Sequence, residues 1–441
     1  MTAVRTGLPQ GASPSVSASA RDVDAGAATQ RPPRVLVATI AIDYTAPARL
    51  PWELQQAGCH VALIAPAGSL ASHTPHVDRR AVAGGRGTPA DWAGLIDREV
   101  DAFEPAIVLP GDDAMVRMML GLAMDPPPGA GSASNARRSA LVRASLGDLD
   151  RTVDSIDKTR LFELARAIGL PVADGGVAPG ADEGVAIADR LGYPVIVRAG
   201  FGTGGAGSKR CEDAAQVREV FGAAQRPSGW MPPVPLRHLV QRWVDGPVIV
   251  RASLAWRGAE VAGSTRGRLA TYPTSLGPGS AVAYAGIPSV TAATRRLLSA
   301  LDATGYVGTQ FIIEPGTGRP LLLEINRRMV PATYGSRHAG IDLARALAAV
   351  LVGGRWDGPD DLERGPGPRL ALFPQEWYRD PESEWLADLP TDAPWHDPAL
   401  FRAMLRLPVD ADRETLARRY DALAAGAADA EPLSALRAPR R

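Results

Sequence analysis

The chain has 441 residues, of which 45% are apolar and 22% charged, and its formal net charge is zero. This composition is typical of a globular protein of two or three domains, and the balanced charge argues against a nucleic-acid partner, which would need a basic face. The two cysteines, Cys59 and Cys211, exclude a disulfide framework and favour a reducing, cytoplasmic compartment.

Both ends of the chain are expected to be disordered tails, at residues 1–33 and 430–441. The N-terminal segment is rich in Ser, Ala, Gly and Pro and has no apolar stretch typical of a signal peptide. The longest apolar segment runs from Leu343 to Val352, carries Arg345 and is too short to span a bilayer. We therefore expect no membrane partner.

Residues 34–124 alternate between apolar runs and helical patterns. The predicted strands are "RVLVATIAI" at 34–42, "HVALIAP" at 60–66 and "PAIVLPG" at 105–111, and the predicted helices are "PWELQQAG" at 51–58 and "DWAGLIDREVDAF" at 91–103. Asp91 is the expected N-cap of the second helix. This alternation predicts a parallel, Rossmann-like α/β layer. Because no glycine fingerprint follows the first strand, the layer is expected to be a poor dinucleotide binder.

A Pro/Gly/Ser-rich linker with a helix is expected at 125–149, followed by a large domain at 150–355 and a C-terminal segment at 356–429. Helices are predicted within 157–169, where Asp157 is the cap, and within 181–192 and 212–225. Further strands are predicted at 237–244, 247–257, 306–313 and 320–325.

The stretch "YPVIVRAGFGTGGAGSKR" at 193–210 places a glycine-rich loop after an apolar run. Gly200 to Gly205 satisfies G-x-G-x-x-G, and Gly202 to Lys209 approaches a P-loop, with Ser208 and Lys209 in reversed order. Both motifs require a helix directly after the loop, whereas the next helical pattern begins near Asp213. A strand, loop, strand flap whose amides close over phosphates fits better, and a surface hairpin is the alternative.

A hairpin is predicted at 308–328, "GTQFIIEPGTGRPLLLEINRR". Glu324 and Asn326 are two residues apart on one strand and so share a face, and Gln310 lies on the other strand. Leu321, Leu323 and Ile325 are expected on the opposite face. Oxygen ligands on neighbouring strands suit Mg²⁺, and an exposed polar strand end is the alternative interpretation.

These features occur in a recognisable order. Lys158 begins a helix, Arg198 ends the strand before the glycine loop, "LVQRWVDG" follows at 239–246, and the polar hairpin ends on Arg328. Over roughly 150–350 the chain resembles the ATP-grasp superfamily, most closely the ATP-binding modules of carbamoyl phosphate synthetase. The resemblance implies an α/β pre-grasp layer plus α+β ATP-grasp lobes, with the glycine-loop lid inside 193–246.

The resemblance also implies roles for single residues. Lys158 and Arg198 would contact the phosphates of ATP, and Arg328 would face the transferred phosphoryl group. The lid glycines would be Gly202, Gly204, Gly205 and Gly207; the adenine hinge would be Gln241, Arg242 and Val244; and the ligands of one or two Mg²⁺ ions would be Gln310, Glu324 and Asn326.

Two departures from the family pattern concern the ribose and the metal hairpin. Gln241 stands where the family usually has an acid, and "PVIV" at 247–250 replaces a second acid, so the ribose contact is open, with Asp245 as a candidate. "EINRR" replaces the common "EINPR" and adds the charge of Arg327.

The implied activity is that of a ligase. ATP would activate a small-molecule carboxylic acid as an acyl phosphate, which an amine or a thiol then attacks. Arg266 and Arg268 alternate on one predicted strand and could bind the carboxylate as a fork, and a charged edge strand is the alternative. A single module makes carbamoyl phosphate synthesis itself unexpected, and a homodimer is compatible with the pattern. The rival functions are a P-loop-like NTPase that depends on Lys209 and a non-catalytic, regulatory nucleotide-binding module.

Overall fold

A computed structural model describes residues 31–84, 87–126, 131–201, 207–223, 237–274 and 277–405. The expected tails at 1–33 and 430–441 lie outside the described residues, apart from 31–33. So do Gly202, Gly204 and Gly205 of the expected lid, and residues 406–429 of the C-terminal segment.

The N-terminal layer is a four-stranded parallel sheet in the order β3-β2-β1-β4. Its strands are β1 Arg34–Ala38, β2 His60–Pro66, β3 Arg79–Ala83 and β4 Ile107–Pro110, and its helices are α1 Thr45–Gln56, α2 Pro89–Phe103 and α3 Asp113–Met124. The central strands are buried on both faces, which explains their continuous apolar runs. The three predicted strands are confirmed. The edge strand β3 escaped prediction because its first two residues are exposed arginines.

The predicted starts of α1 and α2 are wrong. Thr88, not Asp91, caps α2: its hydroxyl accepts a hydrogen bond from the Asp91 amide at 3.2 Å, and the Asp91 carboxylate accepts one from the Thr88 amide at 2.7 Å. This reciprocal capping box extends the helix beyond the apolar pattern. Helix α1 begins six residues before the predicted start at Pro51, which lies inside the helix.

The loop after β1 is closed by a side chain of the protein. Asp112 Oδ2 accepts hydrogen bonds from the Thr39 hydroxyl at 2.7 Å and from the amides of Ile40 at 2.7 Å and Ala41 at 3.0 Å. In a dinucleotide-binding layer such amides would face the phosphates at the carboxyl edge of the sheet. Here the Asp112 carboxylate already satisfies them.

A second, smaller sheet carries the glycine loop. Its antiparallel strands are β5 Gly175–Ala178, β6 Val195–Ala199, β7 Ser208–Cys211 and β8 His238–Arg242, in the order β5-β8-β6-β7. Two predicted helices, α7 Ala181–Leu191 and α8 Ala214–Ala223, pack together beside it. The chain leaves the loop as strand β7, paired with β6, so the strand, loop, strand prediction is confirmed. The P-loop alternative is wrong, because that motif requires a helix at this position.

The central element is a six-stranded antiparallel sheet in the order β13-β12-β9-β10-β11-β14. Its strands are β9 Val248–Trp256, β10 Ala259–Thr271, β11 Gly279–Gly286, β12 Gly305–Ile313, β13 Pro320–Asn326 and β14 Gly365–Ala371. The four predicted strands β8, β9, β12 and β13 are confirmed, whereas β11 and β14 were missed. Strand β14 belongs to the C-terminal segment and pairs with β11.

Helix α9 Pro288–Ala300 packs on one face of the central sheet, where its leucines meet Phe311 and Ile325. The remaining helices are α4 Ser132–Leu146, α5 Leu149–Ile156, α6 Lys158–Ala167, α10 Pro331–Gly335, α11 Leu343–Leu351, α12 Gln375–Arg379, α13 Glu384–Asp388 and α14 Pro398–Leu405. The cap of α6 is Asp157, as predicted. Within the ranges given above, no helix has the length and apolar character that crossing a membrane would demand.

The predicted alternation of side chains between the two faces of β13 is wrong, because one extra residue interrupts it. Gln310 pairs with Glu324, but the next residue, Phe311, pairs with Leu322, so Leu323 is the extra residue of a β-bulge. Leu323 and Leu321 pack against Val244. Ile325 packs instead under α9. The bulge thus changes the face of the leucines while Gln310 and Glu324 remain cross-strand partners.

Candidate active site

The register of the central sheet brings the predicted ligand residues to one face. Arg266, Val250, Gln310 and Glu324 lie in one row across β10, β9, β12 and β13. Gly308 and Asn326 form the next pair of the same face. Since directly opposed residues project to the same side of a sheet, the arginine and the oxygen ligands look onto a common cleft.

Gln310, Glu324 and Asn326 are in direct contact. Glu324 Oε1 accepts a hydrogen bond from Gln310 Nε2 at 2.6 Å and lies 3.4 Å from Asn326 Nδ2. One carboxylate and two carboxamides offer oxygen atoms only, which is the ligand chemistry that Mg²⁺ prefers. These side chains therefore fit the metal that the sequence predicts. No group of three or more His, Cys, Asp or Glu suited to a metal occurs among the described residues.

Two arginines contact the amide oxygens of this trio. Arg268 Nη2 donates to Gln310 Oε1 at 3.1 Å, and Arg328 Nη2 donates to Asn326 Oδ1 at 3.1 Å. The amide oxygens that could ligate a metal are thus each held by a guanidinium group.

Arg328 is also held by the N-terminal layer. Its guanidinium donates to Asp113 Oδ2 at 2.6 Å and to the Tyr44 hydroxyl at 2.6 Å, and it lies 5.1 Å from the centre of the Tyr44 ring. Burial alone would lower the pKa of Arg328, but Tyr44 and Asp113 raise it overall. Sequence reasoning missed both partners. The signal available was "GDD" at 111–113, directly after a parallel strand, where site residues of such sheets commonly lie.

Lys158 is positioned by the first turn of α6. Asp157 caps the helix by accepting a hydrogen bond from the Thr159 amide at 2.8 Å, and the Lys158 amide donates to Gly200 O at 2.8 Å. The lysine is 9% exposed. Burial lowers the pKa of Lys158, Glu324 raises it and Arg198 lowers it, with a net downward shift. The lysine is therefore a buried cation beside the proposed metal ligands.

Arg198 is held by neutral groups. Its Nη2 donates to Gln241 Oε1 at 2.6 Å and its Nη1 to Leu323 O at 2.9 Å, while Gln241 Nε2 donates to Ala173 O at 3.0 Å. Burial lowers the pKa of Arg198, and Glu324 raises it only in part. A buried guanidinium without an ion-pair partner among the described residues is a natural place for an anionic ligand.

A cleft lies between the N-terminal layer, α6 and β13. The residues lining it include Asp113, Arg117, Lys158, Phe201, Glu324 and Asn326. The cleft thus brings together Lys158 and two of the predicted metal ligands, and Asp113 links it to Arg328.

The side chains of the three predicted hinge residues have different partners. Gln241 accepts a hydrogen bond from Arg198, and Val244 is buried beside Leu321. Arg242 instead pairs with Glu314 at 2.8 Å. Asp245, the candidate for the ribose, is exposed.

Arg266 and Arg327 are both buried but face different partners. Arg266 lies beside the hydroxyl of Tyr284, where burial raises the pKa of the tyrosine and Arg266 lowers it, with a net upward shift. Arg327 contacts Leu146 O and lies 3.5 Å from the Ser155 hydroxyl. Burial lowers the pKa of Arg327 to about 10. The additional arginine of "EINRR" therefore connects β13 to α4 and α5 and does not contact the metal trio.

Comparison with known proteins agrees with this geometry. Residues 157–248 match the family "Carbamoyl-phosphate synthase L chain, ATP binding domain". The chain is 30% identical over 227 residues to the carbamoyl phosphate synthase large chain of Clavibacter sepedonicus, covering 47% of this chain and 19% of that protein. The carbamoyl phosphate synthase large chain of Methanothermobacter thermautotrophicus is 26% identical over 222 residues, covering 48% of this chain and 20% of that protein. The match thus spans about a fifth of these relatives.

Solved structures share their fold with a larger part of this chain than the sequence relatives cover. Biotin carboxylase from Campylobacter jejuni superposes with a TM-score of 0.56 at 15% identity, covering 73% of this chain and 72% of that one. L-amino acid ligase from Bacillus licheniformis gives a TM-score of 0.53 at 14% identity, covering 73% and 75%. N5-carboxyaminoimidazole ribonucleotide synthetase gives a TM-score of 0.54 at 12% identity, covering 75% of this chain and 80% of that one. The chain has the ATP-grasp fold. Within this ATP-grasp fold, the similarity to carbamoyl phosphate synthase includes Lys158, Arg198 and Gln241 of the described cleft.

Proposed function

We propose that this chain is an ATP- and Mg²⁺-dependent ligase that activates a carboxylic acid as an acyl phosphate, which an amine or a thiol then attacks. The observation that carries the proposal is the convergence of Glu324, Gln310 and Asn326 with the buried cations Lys158 and Arg198. Phosphoryl transfer depends mainly on positioning and on neutralising oxygen charge, and this cleft supplies both. The solved neighbours named as ligases and carboxylases on the same fold support it.

Each group of residues has a part in this chemistry. Lys158 and Arg198 bind the phosphates of ATP, and Arg328 holds the phosphoryl group during transfer. Gln310, Glu324 and Asn326 would hold one or two Mg²⁺ ions, which polarise the phosphoryl oxygens when bound. Val244 lines the apolar side of the base site, with the backbone around Gln241 and Arg242, and the lid glycines Gly202, Gly204, Gly205 and Gly207 cover the phosphates.

The acid is assigned to the strand of Arg266 and Arg268. Both arginines lie on the face of the sheet that carries Gln310. A carboxylate oxygen attacks the γ-phosphorus as ADP leaves. The nucleophile then attacks the carbonyl carbon, and phosphate leaves with one oxygen of the acid. Arg268 contacts the metal trio and Arg266 lies deeper, so the arginines guide the acid from one side.

The proposal also divides the chain. It treats 34–124 as the pre-grasp layer, 125–149 as a connecting segment, 150–355 as the ATP-grasp unit with its lid in 193–246, and 356–429 as a C-terminal addition. A cytoplasmic enzyme, either monomeric or homodimeric, with small-molecule acid and amine substrates fits this division.

The test is a screen for acid-dependent ADP release, with hydroxylamine as a surrogate nucleophile. Purified protein is incubated with Mg-ATP, hydroxylamine and a panel of carboxylic acids labelled with ¹⁸O, and Glu324→Gln protein is the control. The expected result is equal amounts of hydroxamate and ADP, with label from the acid in the phosphate. ADP release with all label retained in the acid would indicate an ATPase or a kinase. ATP binding without ADP release for any acid would favour the regulatory module.

A further inference from the structure

The orientation of the Gln310 side chain is fixed by both of its neighbours. Glu324 is a carboxylate and accepts a hydrogen bond from Nε2, whereas Arg268 can only donate and therefore faces Oε1. The arginine thus occupies the one atom of Gln310 that could ligate a metal.

A metal ion and the guanidinium exclude each other at this oxygen. Mg²⁺ binds through oxygen at about 2.0–2.1 Å. Two cations a few ångströms apart in a partly buried site repel each other strongly, because the effective dielectric constant there is about 20 rather than that of water. Ligation by Gln310 therefore requires Arg268 to leave.

The second arginine of the trio would behave differently. Arg328 donates to Asn326 but is also fixed by Asp113 and Tyr44, so loss of the Asn326 contact leaves it in place. Within the described part of the chain, Gln310 is the hydrogen-bond acceptor of Arg268, and no carboxylate lies within ion-pair distance of that arginine. Once displaced, Arg268 has no ion-pair partner among the described residues, and the more distant Glu324 carboxylate offsets its charge only in part.

Strand β10 is irregular directly after Arg268. The pairing of β10 with β11 is irregular between Arg268 and Ala270, so the strand bends directly after the arginine. Arg266 lies two residues before it on the same face. A carboxylate on this face would therefore meet two guanidinium groups.

We propose that the metal and Arg268 compete for Gln310 Oε1, so that metal binding releases the Arg268 guanidinium to bind the carboxylate of the acid. This inference rests on the proposed function and adds an order to it: the metal-nucleotide complex completes the carboxylate subsite, and the acid binds after it. Binding of either one favours the other, because thermodynamic coupling is reciprocal.

The first test measures Mn²⁺ binding by electron paramagnetic resonance in the presence of ADP. Arg268→Met should bind Mn²⁺ roughly tenfold more tightly than the wild-type protein, because a charge-assisted hydrogen bond no longer competes. Arg266→Met removes the same charge from the same strand without touching Gln310, and it should change the affinity by less than about twofold. An equal gain in both variants would mean simple charge repulsion and would overturn the competition.

The second test uses the wild-type protein and needs no folded arginine variant. Phenylglyoxal modifies accessible arginines, and mass spectrometry reports the rate at Arg268. Mn²⁺ with ADP should increase that rate severalfold over ADP alone, whereas in Gln310→Met it should be high with or without Mn²⁺. A wild-type rate that does not rise with Mn²⁺ contradicts the release of Arg268. If neither the wild-type protein nor Glu324→Gln binds Mn²⁺ with ADP, the metal site of the proposed function fails as well.

Discussion

A buried arginine lies on each side of the central sheet, and the two arginines have partners of opposite character. On the α9 face, Arg251 donates to Glu260 at 2.8 and 2.9 Å and to Asp361 at 2.8 Å, and the side chains of Arg251 and Glu260 are fully buried. On the cleft side, Arg198 of β6 is held by Gln241 and by the carbonyl group of Leu323, and no carboxylate among the described residues forms an ion pair with it.

The comparison separates a structural role from a binding role. A buried arginine whose guanidinium is shared between two carboxylates, as that of Arg251 is, has its charge satisfied within the protein. Burying a cation against neutral groups costs stability, and this cost is recovered when an anion binds. The pairing of charges, rather than their burial, therefore distinguishes Arg198 from Arg251 and supports the proposed role of Arg198 in binding phosphate.

The largest effect is expected for the carboxylate of the metal trio. Glu324→Ala should lower ADP formation by about 10³-fold or more, because it removes the one charged oxygen ligand. Circular dichroism and the melting temperature should stay near those of the wild-type protein, since the side chain is partly exposed and faces the cleft. Near wild-type turnover would place the metal elsewhere.

The opposite face should respond in the opposite way. Arg251→Met should destabilise the protein by about 3–5 kcal/mol, because it removes the buried partner of both Glu260 and Asp361 and leaves Glu260 with only the half-exposed Arg295 as a counterion. The matched variant Arg198→Met should weaken ATP binding strongly while leaving the nucleotide-free protein as stable as the wild type, or more stable. Urea unfolding and ATP titration of both variants measure these effects, and a strong loss of stability in Arg198→Met would contradict the distinction between the faces.

A pH dependence of ATP binding should follow from Lys158. Burial lowers the pKa of Lys158 below its ordinary value of 10.5 in the empty cleft, although Glu324 opposes the shift. Since the protonated form binds phosphate, ATP affinity should be full below the lowered pKa and should fall as the pH rises through it. Stability of the nucleotide-free protein should change in the other direction, rising between the lowered pKa and 10.5, because the folded state binds fewer protons there.

Lys158→Arg is the control for this dependence. The arginine keeps its charge at high pH, so the decline in ATP affinity should move to higher pH or disappear. Calorimetric titration with ATP across the alkaline range would show it. An unchanged pH profile in Lys158→Arg would assign the dependence to another group.

Local patterns predicted the polar hairpin and the strand before the glycine loop. Strand periodicity was enough to place Glu324 and Asn326 on a common face, whereas the pairing of β12 with β13 brings Gln310 opposite Glu324. The bulge at Leu323 was not predictable, because no glycine or turn residue marks it in the sequence.

Long-range contacts were beyond the sequence. Tyr44 and Arg328 are 284 residues apart, and Asp113 and Arg328 are 215 apart, so no local pattern connects them. The choice of Gln241 as the partner of Arg198 also depends on the pairing of β6 with β8, which is known only once the sheet is assembled.

The smallest effect is expected at Lys209, which separates the flap from the P-loop interpretation. Lys209 is 41% exposed on β7 and forms an ion pair with Glu219 at 2.5 Å. Such a surface pair contributes about 0–1 kcal/mol, so Lys209→Ala should change the unfolding free energy by less than that.

The ATP-dependent turnover of Lys209→Ala should remain within about twofold of the wild-type value, since the side chain is bound to α8 rather than directed at the cleft. Lys158→Ala, measured in parallel, should lose most of its ATP use, because a phosphate charge is left without its counterion. The reverse ranking of the two lysines would restore a phosphate role for Lys209 and remove the one given to α6.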